Sequence, residues 1–191
     1  MTVYKVTDNH IEFQTMSTTP SMIAKQLGNV DLIENILLQP SENTSLTNVW
    51  KDVDIQFEDV LTKNSVLPDI SLWLRMFLVL SPKAFRSLEE ELSVAGEFLS
   101  VRFLGEQWYL FTPLLFGSED KDHCIEKIEY GCYAGLEQLV FCEDDVESKV
   151  LFKSTLEGPS SLFCTDRFVD MCKSQNLKGL NFTTELTSLF E

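Results

Sequence analysis

The chain has 191 residues, 44% of them hydrophobic and 14 of them phenylalanine, so it can bury a substantial core and is not a disordered protein. It carries 30 acidic and 15 basic residues, and this net charge of −15 argues against nucleic acid as a direct ligand because phosphates would be repelled. No apolar stretch reaches the roughly 18 residues of a membrane span, and no signal peptide is recognisable before Asp8, so we expect a cytoplasmic protein without a membrane partner.

The first third of the chain predicts a strand or hairpin followed by short helices. Loosely alternating apolar residues over 1–16 indicate the strand. Apolar residues over 22–37 recur at helical spacing, with a break near Gly28 and a stop at Pro40. The polar residues 41–48 then predict a loop.

The middle third predicts a strand, a capped helix and a hairpin. Residues 72–80 are a mainly apolar run that indicates one strand, and Ser81 then provides an N-cap in front of a proline. The helix over residues 81–92 has an apolar stripe that we expect to pack on a sheet. Gly105 lies between apolar segments and predicts a hairpin.

The last third repeats the order of strand, helix and strand. An apolar strand leads to Thr165 or Asp166, whose side-chain oxygen is expected to cap a helix over residues 165–175. Gly179 follows where a chain that leaves a helix needs positive φ.

A further strand pair is predicted at residues 139–142 and 150–154, around an acidic loop at 143–148. Together the elements predict an α+β fold in which two or more short capped helices pack on a mainly antiparallel sheet. We expect a single domain over residues 1–191, and residues 1–49 remain open to being an N-terminal elaboration of it.

The candidate metal ligands and nucleophiles do not form a recognised motif. The five cysteines include no C-x-x-C pair and are expected to be reduced thiols. His10 and His123 are the two histidines, so neither a metal site nor a hydrolase triad is expected. No glycine-rich phosphate motif occurs, so no cofactor is expected. The interpretation as a non-enzyme is favoured, and the alternative is a small hydrolase or transferase that uses His123 and Cys124.

The most uneven feature of the chain is its charge. Residues 119–147 contain ten acidic and two basic residues, a net charge of −8. Complementary fields speed association, so this acidic segment indicates a basic protein partner, although it could also serve solubility alone. The residues predicted to bind that partner are Glu119, Asp120, Asp122, Glu143, Asp144, Asp145 and Glu147.

Two groups of residues resemble motifs of a known family. The tail motifs are Leu162-Phe163-Cys164-Thr165-Asp166-Arg167-Phe168 and Leu177-Lys178-Gly179-Leu180-Asn181-Phe182. The middle motifs are Leu67-Pro68-Asp69-Ile70, Phe77-Leu78-Val79-Leu80-Ser81 and Gly96-Glu97-Phe98-Leu99. Over residues 67–182 the chain is similar to a family of bacterial polymorphic-toxin immunity proteins, the family numbered eleven.

This resemblance implies a non-enzymatic antidote. Such a protein would bind a cognate secreted toxin domain, for instance a nuclease, and neutralise it by covering its active site. The acidic segment would then present a substitute for the charge of the toxin's substrate. A homodimer is left open by the sequence.

Overall fold

The computed structural model describes residues 1–158 and 161–187. The helices are α1 (Pro20–Leu27), α2 (Leu32–Glu42), α3 (Pro82–Leu92), α4 (Glu143–Val146) and α5 (Asp166–Ser174). The strands are β1 (Val3–Asp8), β2 (Thr15–Met16), β3 (Val53–Asp54), β4 (Phe57–Glu58), β5 (Ile70–Trp73), β6 (Phe77–Leu80), β7 (Gly96–Phe103), β8 (Glu106–Pro113), β9 (Ile125–Glu129), β10 (Cys132–Gln138), β11 (Leu151–Lys153), β12 (Leu162–Thr165) and β13 (Leu180–Thr183).

The elements form an α+β fold with mostly antiparallel sheets, as predicted. A five-stranded sheet has the order β3-β7-β8-β6-β5, and a four-stranded sheet has the order β11-β12-β1-β13. β1 pairs with β12 on one side and β13 on the other, so this strand lies inside its sheet. Within the described residues, no helix has the length and apolar character needed to cross a membrane.

The main core cluster joins side chains from both large sheets. Leu78 of the five-stranded sheet and Leu162 of the four-stranded sheet belong to it, together with Leu88 of α3 and Phe168 of α5. A second cluster includes Ile23 of α1, Ile36 of α2 and residues of the five-stranded sheet. The two amphipathic helices α3 and α5 therefore complete the core that connects the sheets.

The start of α3 agrees with its sequence signals. The Ser81 hydroxyl accepts a hydrogen bond from the Ala84 amide at 3.1 Å, and Pro82 occupies the first turn, where its missing N–H removes no helical bond. The predicted hairpin also forms, since β7 and β8 pair on either side of Leu104 and Gly105.

The predicted cap of α5 is wrong. The Thr165 hydroxyl donates to the Lys149 carbonyl at 2.8 Å instead of accepting from the helix. The Asp166 carboxylate accepts from the Thr2 amide at 2.6 Å and from the Tyr4 hydroxyl at 3.2 Å. These side chains therefore tie the start of α5 to neighbouring segments of the chain.

Two other predictions fail in the first half of the chain. The apolar run at 72–80 is not one strand, because the chain turns at Leu74 and Arg75, with φ of 53° and 63°, to form β5 and β6. Pro40 does not stop α2, which continues to Glu42 and ends at Asn43 with φ of 54°. Close to the helix end, the missing proline N–H removes only one backbone bond.

The strand pair predicted around the acidic loop is also wrong. β11 pairs with β12, while Phe141 forms an isolated bridge with Glu119. Residues 143–146 are helical rather than a loop.

Phe168 tests the packing of α5. Its side chain is fully buried and its ring contacts Phe182 with centroids 6.0 Å apart. We expect Phe168→Ala to lower the free energy of unfolding by about 3–5 kcal/mol, because the truncation leaves a cavity in the main core. Urea unfolding measures this loss, and a loss under about 1 kcal/mol would contradict the assignment of the ring to the core.

Asp8 contacts both large sheets and titrates unusually. Its carboxylate accepts a hydrogen bond from the Leu72 amide of β5 at 2.6 Å. Burial raises the pKa of Asp8 to about 7, and the hydrogen bond from Leu72 only partly opposes that rise. In the unfolded chain the same carboxyl titrates near its ordinary value of about 4. Between about pH 4 and about pH 7 the folded state therefore keeps a proton on Asp8 that the unfolded state has lost. The free energy of unfolding falls as the pH rises through this range.

We expect Asp8→Asn to reduce this pH dependence, because an amide keeps an acceptor for Leu72 and does not ionise. The measurement is the free energy of unfolding at pH 5 and pH 8 for both proteins. The wild type should lose more stability between the two values than the variant does. Equal losses would show that Asp8 ionises normally in the folded protein.

Candidate functional site

The acidic segment, residues 119–147, leaves the body of the protein and returns to it at the same place. The Asp120 amide donates to the Val140 carbonyl at 2.9 Å, and the Cys142 amide donates to the Ser118 carbonyl at 2.8 Å. The hairpin of β9 and β10 lies between these two tied ends, and α4 follows directly after them. Asp122 and α4 are thereby brought to the same end of the segment.

Apolar side chains attach the segment to the outer face of the four-stranded sheet. Leu139 and Phe141 are buried in a third core cluster with Phe152 of β11 and Phe163 of β12. The Phe141 ring lies 5.0 Å from that of Phe152 and 5.2 Å from that of Phe163. These contacts hold the acidic segment against the sheet at Leu139 and Phe141.

Glu119 is used within the fold. Its carboxylate accepts from the Ser154 hydroxyl at 2.7 Å, from the Thr155 amide at 2.6 Å and from the Leu156 amide at 3.2 Å. Burial opposes ionisation, but these hydrogen bonds outweigh it and lower the pKa of Glu119. Glu119 therefore holds the turn after β11 and is not free to bind a partner.

Asp120 and Asp145 also have internal partners. Asp120 lies 2.8 Å from Nδ1 of His123. Asp145 pairs with Lys149 and accepts from the Ser118 amide at 2.7 Å, and these contacts, the one to Lys149 foremost, lower the pKa of Asp145. Two more of the predicted binding residues are thus occupied in the folded chain.

The remaining four predicted residues are exposed. Among the described residues, none donates a hydrogen bond to the carboxylates of Asp122, Asp144 or Glu147, all of which are exposed. Glu143 is 67% exposed at its side chain and lies 3.3 Å from the Met1 nitrogen. Asp122, Asp144 and Glu147, which have no such donor, and Glu143, whose partner is the Met1 ammonium at the surface, are called the free acids below.

The sequence prediction missed the hairpin of β9 and β10. Every residue of β9 is exposed, including Ile125 and Ile128, and Tyr130 and Tyr133 are exposed beyond it. The available signal was Gly131, which follows Tyr130 in the two-residue turn between the strands. The hairpin places apolar side chains among the acids.

His123 and Cys124 are directed to other groups. The His123 ring contacts Asp120, whereas the Cys124 thiol lies 3.4 Å from both the carbonyl oxygen and the amide nitrogen of Val140. Neither contact brings a general base to the Cys124 thiol. In the described part of the chain, no group of three or more His, Cys, Asp or Glu side chains could hold a metal ion.

A comparison of the chain with protein-family models finds no match, and a comparison with curated proteins finds none either.

The free energy of unfolding can test whether Glu119 supports the fold while Asp144 does not. We expect Glu119→Ala to lower the free energy of unfolding by about 2 kcal/mol, because several donors lose a charged acceptor. Asp144→Ala, at an exposed position without a hydrogen-bond donor, should change it by less than about 0.5 kcal/mol. Urea unfolding of both variants makes the comparison, and equal effects would contradict the structural role assigned to Glu119.

Proposed function

We propose that this protein is a cytoplasmic immunity protein that binds a cognate toxin domain with a basic surface and neutralises it. The observation that carries this proposal is the group of free acids, which lies at one end of a segment with a net charge of −8. Exposed carboxylates clustered in this way produce a negative field that attracts a basic partner.

The charge also suggests how neutralisation works. A toxin that acts on nucleic acid holds phosphates with lysine and arginine side chains. The free acids offer carboxylates to the same cations, so the bound antidote occupies the substrate's place and covers the active site. Asp144 and Glu147 are exposed and without donors among the described residues, so their pairing with a toxin breaks no internal hydrogen bond.

The family resemblance supports the same class of function. Its motifs span residues 67–182, and the fold is of the predicted α+β class. The alternative enzyme gains no support from geometry, since Cys124 contacts the backbone of Val140.

The decisive measurement is association with the domain encoded directly upstream of this protein's gene, which is where the cognate toxin of an immunity protein is expected. A variant with Asp122→Lys, Glu143→Lys, Asp144→Lys and Glu147→Lys should associate at least about tenfold more slowly than the wild type at low salt. The difference should shrink at high salt, because ions screen the exposed charges. Asp145 is left unchanged, since it pairs with Lys149.

A matched control reverses four exposed acids elsewhere, at Glu89, Glu90, Glu106 and Asp170. It has the same net charge as the test variant and should associate more nearly at the wild-type rate. If both variants associate equally slowly, the net charge of the protein and not the position of the free acids determines the association rate. Absence of binding by the wild type would overturn the proposed function.

A further inference from the structure

The hairpin of β9 and β10 forms a two-stranded sheet of its own. Ile128 is the cross-strand partner of Tyr133, and Glu129 is the partner of Cys132, so Tyr130 and Gly131 form the turn at the tip. Leu136, in the half of the hairpin far from the tip, is buried and holds that half against the body of the protein. A register shift between Tyr133 and Leu136 separates that half from the tip.

Tyr130 is an unusual residue at this tip. It is fully exposed and has φ of 51°, a conformation that asparagine or glycine adopts more readily than a bulky aromatic residue does. The turn therefore does not need a tyrosine, and no contact to its ring stabilises the described fold.

The tyrosine extends an apolar patch. Ile128 and Tyr133 are 56% and 55% exposed, and as cross-strand partners they lie side by side on one face. Aromatic and large apolar side chains in the centre of a polar rim are typical of the residues that supply most of the binding energy at interfaces. Here the rim is mainly acidic, since Glu126, Glu129 and Glu137 are all exposed and one lysine, Lys127, pairs with Glu129 at 2.7 Å.

We propose that Ile128, Tyr130 and Tyr133 form the apolar anchor of the interface, and that they enter a groove of the toxin domain rimmed by lysine or arginine. This inference rests on the proposed function and names the part of the surface that holds the partner.

The negative charge of the acidic segment favours a basic protein over other partners of the apolar anchor. A second copy of the chain would place two segments of net charge −8 against each other, and an anionic lipid surface would meet the same repulsion. A basic protein surface is attracted by the rim and offers the apolar groove that the three side chains require. The free acids then set the rate of encounter, and the anchor sets the lifetime of the complex.

The test uses variants that keep the hairpin intact. Tyr130→Asn removes the ring and suits the positive φ of the turn, and Tyr133→Thr keeps a side chain that favours strands. The matched control is Leu104→Asn, because Leu104 is 88% exposed, has φ of 50° and precedes a glycine in the turn between β7 and β8. Unfolding midpoints check that all variants fold.

We expect the Tyr130→Asn and Tyr133→Thr double variant to dissociate from the upstream-encoded toxin domain at least about tenfold faster than the wild type, with its association rate nearly unchanged. Leu104→Asn should dissociate at the wild-type rate. A second readout needs no variant: alkylation of Cys132, an exposed thiol beside the tip, should slow in the complex, with the modified peptide identified by mass spectrometry.

The outcomes separate the two proposals. Unchanged dissociation of the double variant, with Cys132 alkylated equally fast in the free and bound protein, would overturn the anchor while the proposed function stands. If the wild type does not bind the toxin domain, both proposals fall.

Discussion

The two large sheets depend on one close approach of backbone to backbone. The amides of Asp69 and Ile70 donate to the Lys178 carbonyl at 2.9 and 3.1 Å, which brings the start of β5 against the chain that enters β13. A Cβ atom on Gly179 would lie 2.1 Å from the Ile70 carbonyl oxygen, and Gly179 has φ of 127°. Only glycine satisfies both conditions, so the joint between the sheets depends on the absence of a side chain there.

This joint involves residues of two of the sequence motifs. Asp69 belongs to one of the quoted motifs and Lys178 to another, and the Asp69 carboxylate accepts from the Lys178 amide at 3.0 Å across 109 residues of sequence. The same carboxylate pairs with Lys83 of α3 at 3.0 Å. These motif residues therefore describe how the sheets are joined and do not locate a binding surface, so the proposed surface lies on parts of the chain that the motifs leave out.

The sequence predicted structure correctly where a side chain bonds to residues close to it in the chain. It predicted structure less well where the partner of a side chain lies far away in the sequence. Ser81 caps α3 from three residues away, which a local pattern can predict. Thr165 has a distant carbonyl as its partner, and Leu74 turns the chain without a turn-forming residue type. The site follows the same division, because the excess of acids is visible in the sequence but the donors that occupy Glu119 lie more than 30 residues away. Tyr130 is not a typical turn residue, so the exposed hairpin was missed.

The surface proposed to bind a partner lies apart from the main core. Along β12, Leu162 and Cys164 enter the main core, whereas Phe163 faces the third cluster, because successive side chains of a strand point to opposite faces. The same strand thus holds the body together on one face and supports the acidic segment on the other. The free acids and the exposed tip of the hairpin belong to neither the main nor the second core cluster. Their side chains can therefore change partner preference without opening a cavity in the core, which suits a binding surface carried on a stable body.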